Sequence, residues 1–235
     1  IGPSQADYLQ SVKGGGHGDY HLIIFSPSSV QEIVDLTIMA FDYAFKYRIP
    51  AMLIFDGILG QMSEPVILPD FKEINTSYKW ALGQGDGQNI IRSLFLTPEN
   101  RLELHNLHLQ EKYREIEKEI NLYESYMCDD ADYLFIAYGS PSRVCRASID
   151  ILRSKGVKIG LFRPISLWPF PKDAVKKVCL NKKKLFVVEM AYNQLEQDIA
   201  LSIDNRESIV RYNKLGGAIF TEEETINFVL DQIKG

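Results

Sequence analysis

The sequence predicts an α/β protein with parallel strands, arranged as two successive modules. Three observations carry this reading. The apolar run "HLIIFSP" (His21 to Pro27) is followed by an amphipathic helical stretch and then by the β-rich run "IPAMLIFDG" (Ile49 to Gly57). Strand, helix and strand at this spacing make a βαβ unit, whose strands run parallel. From Ala131 onward strand-like and helix-like stretches alternate to the C-terminus, the pattern of a complete α/β domain. Residues 58–100, punctuated by Pro65 and Pro69, follow neither period and read as a connector.

Taken in order, "SQADYLQSV" is a short helix with Ser4 as N-cap, ended by the glycines from Gly14. The next helix starts at Ser29, which has capping-box spacing to Glu32. Its stripe is Val30, Ile33, Val34, Thr37, Ile38, Phe41 and Phe45, the kind of face that packs on a core. "GQGDGQN" (Gly83 to Asn89) is a loop by composition. A long helix is predicted from about Pro98 to Met127, with Leu102, Leu109, Tyr113, Ile116, Ile120, Tyr123 and Met127 at steps of seven, four and three. In the second module "YLFIAYGS", "VKIGLF", "KLFVVEM" and "ESIVRY" are strands. "SRVCRASIDILRSKG" is a helix with Gly156 at C′, "PKDAVKKVCL" one with Pro171 near N1, and "NQLEQDIALSI" another. Thr221 and Glu224 form a second capping box for a last helix ending near Ile233. The domain cut is expected between Cys128 and Asp132, giving modules 1–128 and 129–235.

Composition excludes several function classes. Of 235 residues, 46% are hydrophobic and 24% charged, ordinary for a globular chain. A net charge of -5 provides no electrostatic reason to bind nucleic acid or an anionic membrane. The longest apolar runs are too short to span a bilayer, and no signal peptide is visible. Cys128, Cys145 and Cys179 are odd in number and widely spaced, without a CxxC. They suggest neither an iron–sulfur cluster nor a structural zinc site within this chain; reduced thiols in a cytoplasmic protein fit best. The chain opens on Ile1, and "IGPSQADYLQ" reads as the middle of a longer polypeptide.

The candidate chemistry is sparse. "KGGGHG" (Lys13 to Gly18) is not a P-loop, since no GK[ST] follows, nor a dinucleotide fingerprint, since a strand rather than a helix follows it. Its backbone amides could nest an anion, but a helix end followed by a tight loop is the favoured reading. His17 beside Asp19 could orient a general base, but no nucleophile partner is visible, so a plain loop role is preferred. His21 at a strand start reads as structural. His105 and His108, three apart on the long helix, could touch one metal, but no third ligand has matching spacing. Glu189 ends a strand, where open α/β sheets place ligand groups; a ligand contact and a helix cap are both open.

The segment "GPSQADYLQSVKGGGHGDYHLIIFSPSSVQEIVDLTIMAFDYAFKYRIPAMLIFDGILGQMSEP" resembles the α subunit of 2-oxoacid:ferredoxin oxidoreductases, nearest the 3-methyl-2-oxobutanoate (2-ketoisovalerate) branch. The most specific pieces are "QADYLQSVKGGGHGDY", "PSSVQEIVDL" and "DGILGQM". "VVEMAYNQLEQDI" resembles the family's E-M-N-x-G-Q signature, and "LGGAIFTEEE" its G-G-x-x-P-T-P-E-E stretch. Ala191 stands where the family usually has Asn, Asn193 where it has Gly, and Phe220 and Glu222 replace two prolines. The resemblance implies the later part of a thiamine-diphosphate pyrimidine-type domain followed by a transketolase-C-terminal-like parallel α/β domain. It implies oxidative decarboxylation of a branched-chain 2-oxoacid to acyl-CoA with ferredoxin reduction, this segment being mainly scaffold and subunit interface. Thiamine diphosphate and Mg would be held mainly by residues outside this chain, and iron–sulfur clusters by other subunits. The implied partners are a β subunit and an iron–sulfur subunit, with ferredoxin and coenzyme A reached through the complex. No catalytic role transfers to a residue here; the loop Gly2, Pro3, Ser4 is expected nearest the substrate, with His17 at its edge. An orphaned sheet edge and apolar face would drive self-association. The alternative is a stand-alone α/β ligand-binding or interaction module.

Overall fold

The computed structural model of the chain describes residues 2–71, 73, 78, 80, 81 and 101–234. The expected loop Gly83–Asn89 and the helix start at Pro98 lie outside them. After a short helix α1 (Tyr8–Val12), β1 (Ile23–Phe25), α2 (Val30–Tyr47) and β2 (Ala51–Leu53) form the predicted unit, with β1 and β2 parallel in the register Ile23↔Ala51 to Phe25↔Leu53. Ser29 caps α2: its backbone is extended and its Oγ accepts the Glu32 N–H at 3.1 Å. The box is not closed in the usual way, because Glu32 turns its carboxylate to the Ser28 N–H and hydroxyl, 2.7 and 3.1 Å away.

The stripe expected to bury α2 is corrected. Leu36 and Ala40 are the buried residues, flanked by Met39, Tyr43 and Tyr47 against the core, while Phe41 is 64% exposed and Ile38 38%. The helix is apolar on two adjacent faces, so periodicity shows amphipathicity without choosing the face that meets the sheet.

The expected long helix is also corrected. It begins among the described residues as α4 (Arg101–Glu119) and stops there, followed by an edge strand β3 (Tyr123–Tyr126). Tyr113, Ile116 and Ile120 are buried, but Tyr123 is 41% and Met127 44% exposed. In "YESY" a period of two replaces the helical one, and Glu124 finds Arg163 across the ladder at 2.8 Å. The remaining elements follow the predicted alternation: β4 (Tyr133–Ile136), α5 (Gly139–Ser154), β5 (Ile159–Pro164), β6 (Ser166–Trp168), α6 (Lys172–Cys179), β7 (Lys184–Glu189), α7 (Leu195–Ser202), β8 (Ile209–Asn213) and α8 (Glu222–Lys234). The expectation did not include β6.

The larger sheet has the order β3-β5-β4-β7-β8, parallel except for β3. The smaller has the order β2-β1-β6, with β6 antiparallel to β1. Backbone pairing thus crosses position 128 in both directions: β3 joins the later sheet and β6 the earlier one. One core spans both sheets, joining Ile24, Phe25, Ile116 and Trp168 to Leu134, Ile136 and Val187; a second, under α5 and α8, covers the other face of the larger sheet.

Candidate functional site

The C-terminal ends of β1, β2, β4 and β7 converge. In the larger sheet the chain passes from β4 to β5 on one side and later to β7 on the other. Such a reversal opens a crevice beyond the strand ends, the usual ligand position in an open α/β sheet. Here Gln5 fills it. Its Nε2 donates to the Tyr138 carbonyl at 3.0 Å, its Oε1 accepts the Met190 N–H at 2.8 Å, and its own N–H donates to the Met190 carbonyl at 2.9 Å. Gly139 makes room for this: its φ is +60°, and a Cβ there would lie 3.1 Å from Gln5 Nε2 and 3.2 Å from Asp56 Oδ2. Ser26 Oγ, buried beside them, has no hydrogen-bond partner among the described residues.

Three helix N-termini at this edge are engaged by two of the chain's own carboxylates. Asp56, 3% exposed, accepts the Ser140 N–H at the start of α5 at 3.1 Å. Its other oxygen accepts the Ile58 N–H at 2.9 Å and so caps the short helix α3 (Gly57–Gln61). Glu189, fully buried, accepts the Gln194 and Leu195 N–H groups at 3.0 Å each and Glu196 N–H at 3.4 Å, at the head of α7. These are the positions where a helix dipole attracts an anion. Burial pushes the Glu189 carboxyl above its ordinary range, against the pull of those N–H donors. Of the two readings open for Glu189, the structure selects the helix cap.

The sequence-predicted residues fall in two places. Gly2 and Ser4 are exposed and Pro3 half-buried. Ser4 is not the N-cap of α1, which starts four residues beyond it behind the N-cap Asp7; Ser4 Oγ instead accepts the Ala6 N–H at 3.1 Å. Gly2 packs on Gly217, which has φ +88°, so closely that a Cβ on Gly2 would stand 3.1 Å from the Gly217 Cα. His17 is exposed in a different loop, which borders a cleft of about 660 Å³ toward α4. No hydrogen bond joins His17 to Asp19 among the described residues. The glycine run ends α1: the Lys13 N–H returns to the Leu9 carbonyl at 2.9 Å and Gly14 has φ +89°. Lys13 itself is spent on Asp198. His21 stacks on Trp168 at 4.5 Å and meets Tyr113 edge-on at 5.1 Å, and burial lowers its pKa. His105 and His108 are exposed on α4. Among the described residues no group of three or more His, Cys, Asp or Glu is placed to hold a metal ion.

The departures from the family signatures fit locally. Asn193 has φ +54°, a left-handed position that asparagine tolerates where glycine is usual, and its Oδ1 accepts from Asn213 Nδ2 at 2.5 Å. Phe220 is buried edge-on against Tyr212, with ring centres 4.9 Å apart. Glu222 opens α8, where an acid suits the dipole as proline suits the geometry. Ala191 is buried.

Sequence reasoning passed over Gln5, Asp56, Tyr138 and Gly139. The partners of Gln5 are 133 and 185 positions away, so no local pattern marks it; the Asp56–Gly57 pair was visible only as a strand end. The described residues do not by themselves fit thiamine diphosphate with a divalent metal: the buried carboxylates Asp56 and Glu189 are already satisfied by backbone N–H groups.

Comparison with known proteins bears on what this arrangement serves. The family model for the pyruvate flavodoxin/ferredoxin oxidoreductase thiamine-diphosphate-binding domain matches residues 1–125, and that for pyruvate:ferredoxin oxidoreductase core domain II matches residues 131–225. The ketoisovalerate oxidoreductase subunit VorB of Methanothermobacter thermautotrophicus is 41% identical over 220 residues, covering 92% of this chain and 62% of that relative. The 2-oxoglutarate synthase subunit KorA of Methanocaldococcus jannaschii is 36% identical over 253 residues, covering 97% and 68%. In fold, the chain resembles a 2-oxoglutarate:ferredoxin oxidoreductase of Magnetococcus marinus solved with 2-oxoglutarate, coenzyme A and succinyl-CoA. The TM-score is 0.77 at 22% identity, covering 99% of this chain and 46% of that one. The chain therefore spans about 62% of the length of the VorB relative. With one family model on each side of residue 128 and identity to VorB through nearly its whole length, the chain belongs to the pyruvate flavodoxin/ferredoxin oxidoreductase family.

Proposed function

We propose that this chain is a scaffold and interface segment of a thiamine-diphosphate-dependent 2-oxoacid:ferredoxin oxidoreductase acting on a branched-chain 2-oxoacid, with coenzyme A as acyl acceptor. The observation that carries the reading is the 41% identity to ketoisovalerate oxidoreductase subunits over 220 residues. Thiamine diphosphate, when bound, supplies the electron sink for decarboxylation. The chain's own part is to hold the Gly2–Ser4 loop beside the substrate on a rigid sheet edge. His17, exposed in a separate loop, is assigned at most its periphery. Because Asp56 and Glu189 are already engaged, we assign thiamine diphosphate and magnesium to groups outside this chain, and the iron–sulfur clusters to other subunits. Modules 1–128 and 129–235 are then two chain segments joined through exchanged strands.

A β subunit and an iron–sulfur subunit are the proposed partners, through which ferredoxin and coenzyme A are reached. An ordered apolar surface supports such an interface. Gln31 grips the backbone of Ile67 in both directions, at 3.0 and 2.7 Å, and so holds an extended segment whose Ile67, Leu68 and Phe71 are 82%, 73% and 88% exposed. No helix among the described residues is long and apolar enough to cross a membrane. The buried free thiols of Cys128, Cys145 and Cys179 suit the cytoplasm. A stand-alone ligand-binding module is the weaker reading, since Gln5 fills the crevice such a module would use.

Two measurements test this. The full subunit, assembled with its partners, is expected to reduce ferredoxin with 2-ketoisovalerate and coenzyme A faster than with 2-oxoglutarate or pyruvate; the reverse preference would overturn the substrate assignment. Calorimetry of the 235-residue chain alone with thiamine diphosphate and Mg²⁺ is expected to show no binding heat. Tight binding would place the cofactor's hold within this chain.

A further inference from the structure

Residues 2–5 touch the rest of the fold through few polar contacts. Pro3 has no N–H, and the Ser4 hydroxyl is used within the turn by Ala6. Every hydrogen bond that ties this stretch to another element among the described residues is made by Gln5. These are the two side-chain bonds to Tyr138 and Met190, the backbone bond to Met190, the Tyr8 N–H of α1 donating to the Gln5 carbonyl at 3.2 Å, and a longer contact at 3.5 Å from the Tyr138 hydroxyl to that carbonyl.

The chemistry of the crevice explains the residue type. At the end of β4 a carbonyl points into the gap, and at the end of β7 an N–H does. One planar amide supplies a donor and an acceptor at once, and glutamine has the reach. Glutamate lacks the donor, and apolar side chains lack both. The partners are themselves rigid: Tyr138 is 1% and Met190 2% exposed, at the ends of central parallel strands. Gly2 lies three residues upstream, within roughly 10 Å of chain reach, and the Gly217 backbone stops it on the other side.

We propose that Gln5 is a positioning residue: by occupying the crevice between β4 and β7 it fixes where the Gly2–Ser4 loop stands relative to the 2-oxoacid. This rests on the reading that the loop lies beside the substrate. The crevice that in an open α/β sheet would take a ligand is used here to anchor the loop.

The test uses the assembled complex carrying Gln5→Met, which keeps the bulk and loses both bonds, and Gln5→Glu, which keeps the acceptor for the Met190 N–H. Gly2→Ala, whose Cβ must displace the Gly217 contact, moves the loop without touching Gln5. Gln5→Met is expected to raise KM for 2-ketoisovalerate about tenfold, as a misplaced positioning group does. KM for coenzyme A should stay within twofold, with Gln5→Glu intermediate and Gly2→Ala following the same pattern. Hydrogen exchange at the backbone N–H of residue 5 should accelerate at least tenfold in Gln5→Met. The proposal is overturned if the KM for 2-ketoisovalerate does not change, if both KM values rise together, or if kcat falls in step with melting temperature alone. Unchanged amide exchange would also overturn it. If the wild-type complex turns over no 2-oxoacid, the functional reading fails instead, and the exchange comparison still decides whether Gln5 anchors the loop.

Discussion

Tyr8 shows how a single side chain joins distant parts of this fold. It is fully buried, and its hydroxyl donates at 2.7 Å to Asp198, itself 3% exposed, while the half-exposed Lys13 also reaches that carboxylate. Burial, reinforced by Asp198, holds the phenol well above its ordinary range. Tyr8→Phe leaves a buried carboxylate short of a donor and is expected to cost about 1–3 kcal/mol, read from urea unfolding. A loss below a few tenths would show that Lys13 and solvent satisfy Asp198 unaided. Glu189 makes a pH prediction. Its carboxyl is raised in the folded chain, so the folded state holds that proton more tightly than the unfolded one. Its contribution is full below the unfolded value of about 4.3 and declines as pH rises through the folded value. The melting-temperature difference between wild type and Glu189→Gln should therefore shrink from pH 4 to pH 7; a constant difference would remove Glu189 as its source.

Among the strands, β3 and β6 are the two that local pattern did not reveal; the short helix α3 likewise falls where the sequence reads as a connector. The run through Tyr123 and Met127 continues a helical spacing from Ile120 by coincidence of step, and only the partner strand makes "YESY" extended. Gly160 on β5 allows the approach: a Cβ there would lie 2.5 Å from the Met127 carbonyl oxygen and 2.9 Å from that of Tyr126. Gly160→Ala must push the strand edge away and is expected to destabilise by about 1–3 kcal/mol, with faster amide exchange confined at first to β3. Across the same edge Arg163, 4% exposed at its side chain, forks onto Glu32 at 2.9 and 2.7 Å and reaches Glu124 at 2.8 Å. It thereby fastens the head of α2 to the larger sheet. Burial tends to raise the Glu124 carboxyl, but the arginines Arg163 and Arg146 outweigh it and hold it low.

For the molecule as a whole, the apolar outer face of α2 is the feature with the widest consequence. Phe41, Ile38 and Phe45 are 64%, 38% and 40% exposed on one helix, and Phe55 39% near the β2 edge. A patch of this kind on a lone chain drives association. The 235-residue chain by itself is expected to sediment as a dimer or larger at tens of micromolar, and Phe41→Lys, at a site the core does not use, to shift it toward monomer. A monomeric wild type would mean that the face is covered from within.

By itself the sequence determined the α/β class, the parallel βαβ opening, the Ser29 and Thr221 caps and, apart from β6, the order of elements from Tyr133 on. Each depends on residues within a turn or a strand of one another, where sterics and hydrogen bonding act locally. Only the tertiary structure decided which face of α2 is buried, that β3 and β6 cross between the sheets, and that Gln5 rather than a ligand fills the β4–β7 crevice. Those outcomes hang on partners more than a hundred residues apart in the case of Gln5 and Tyr138, and no local period records a contact of that range.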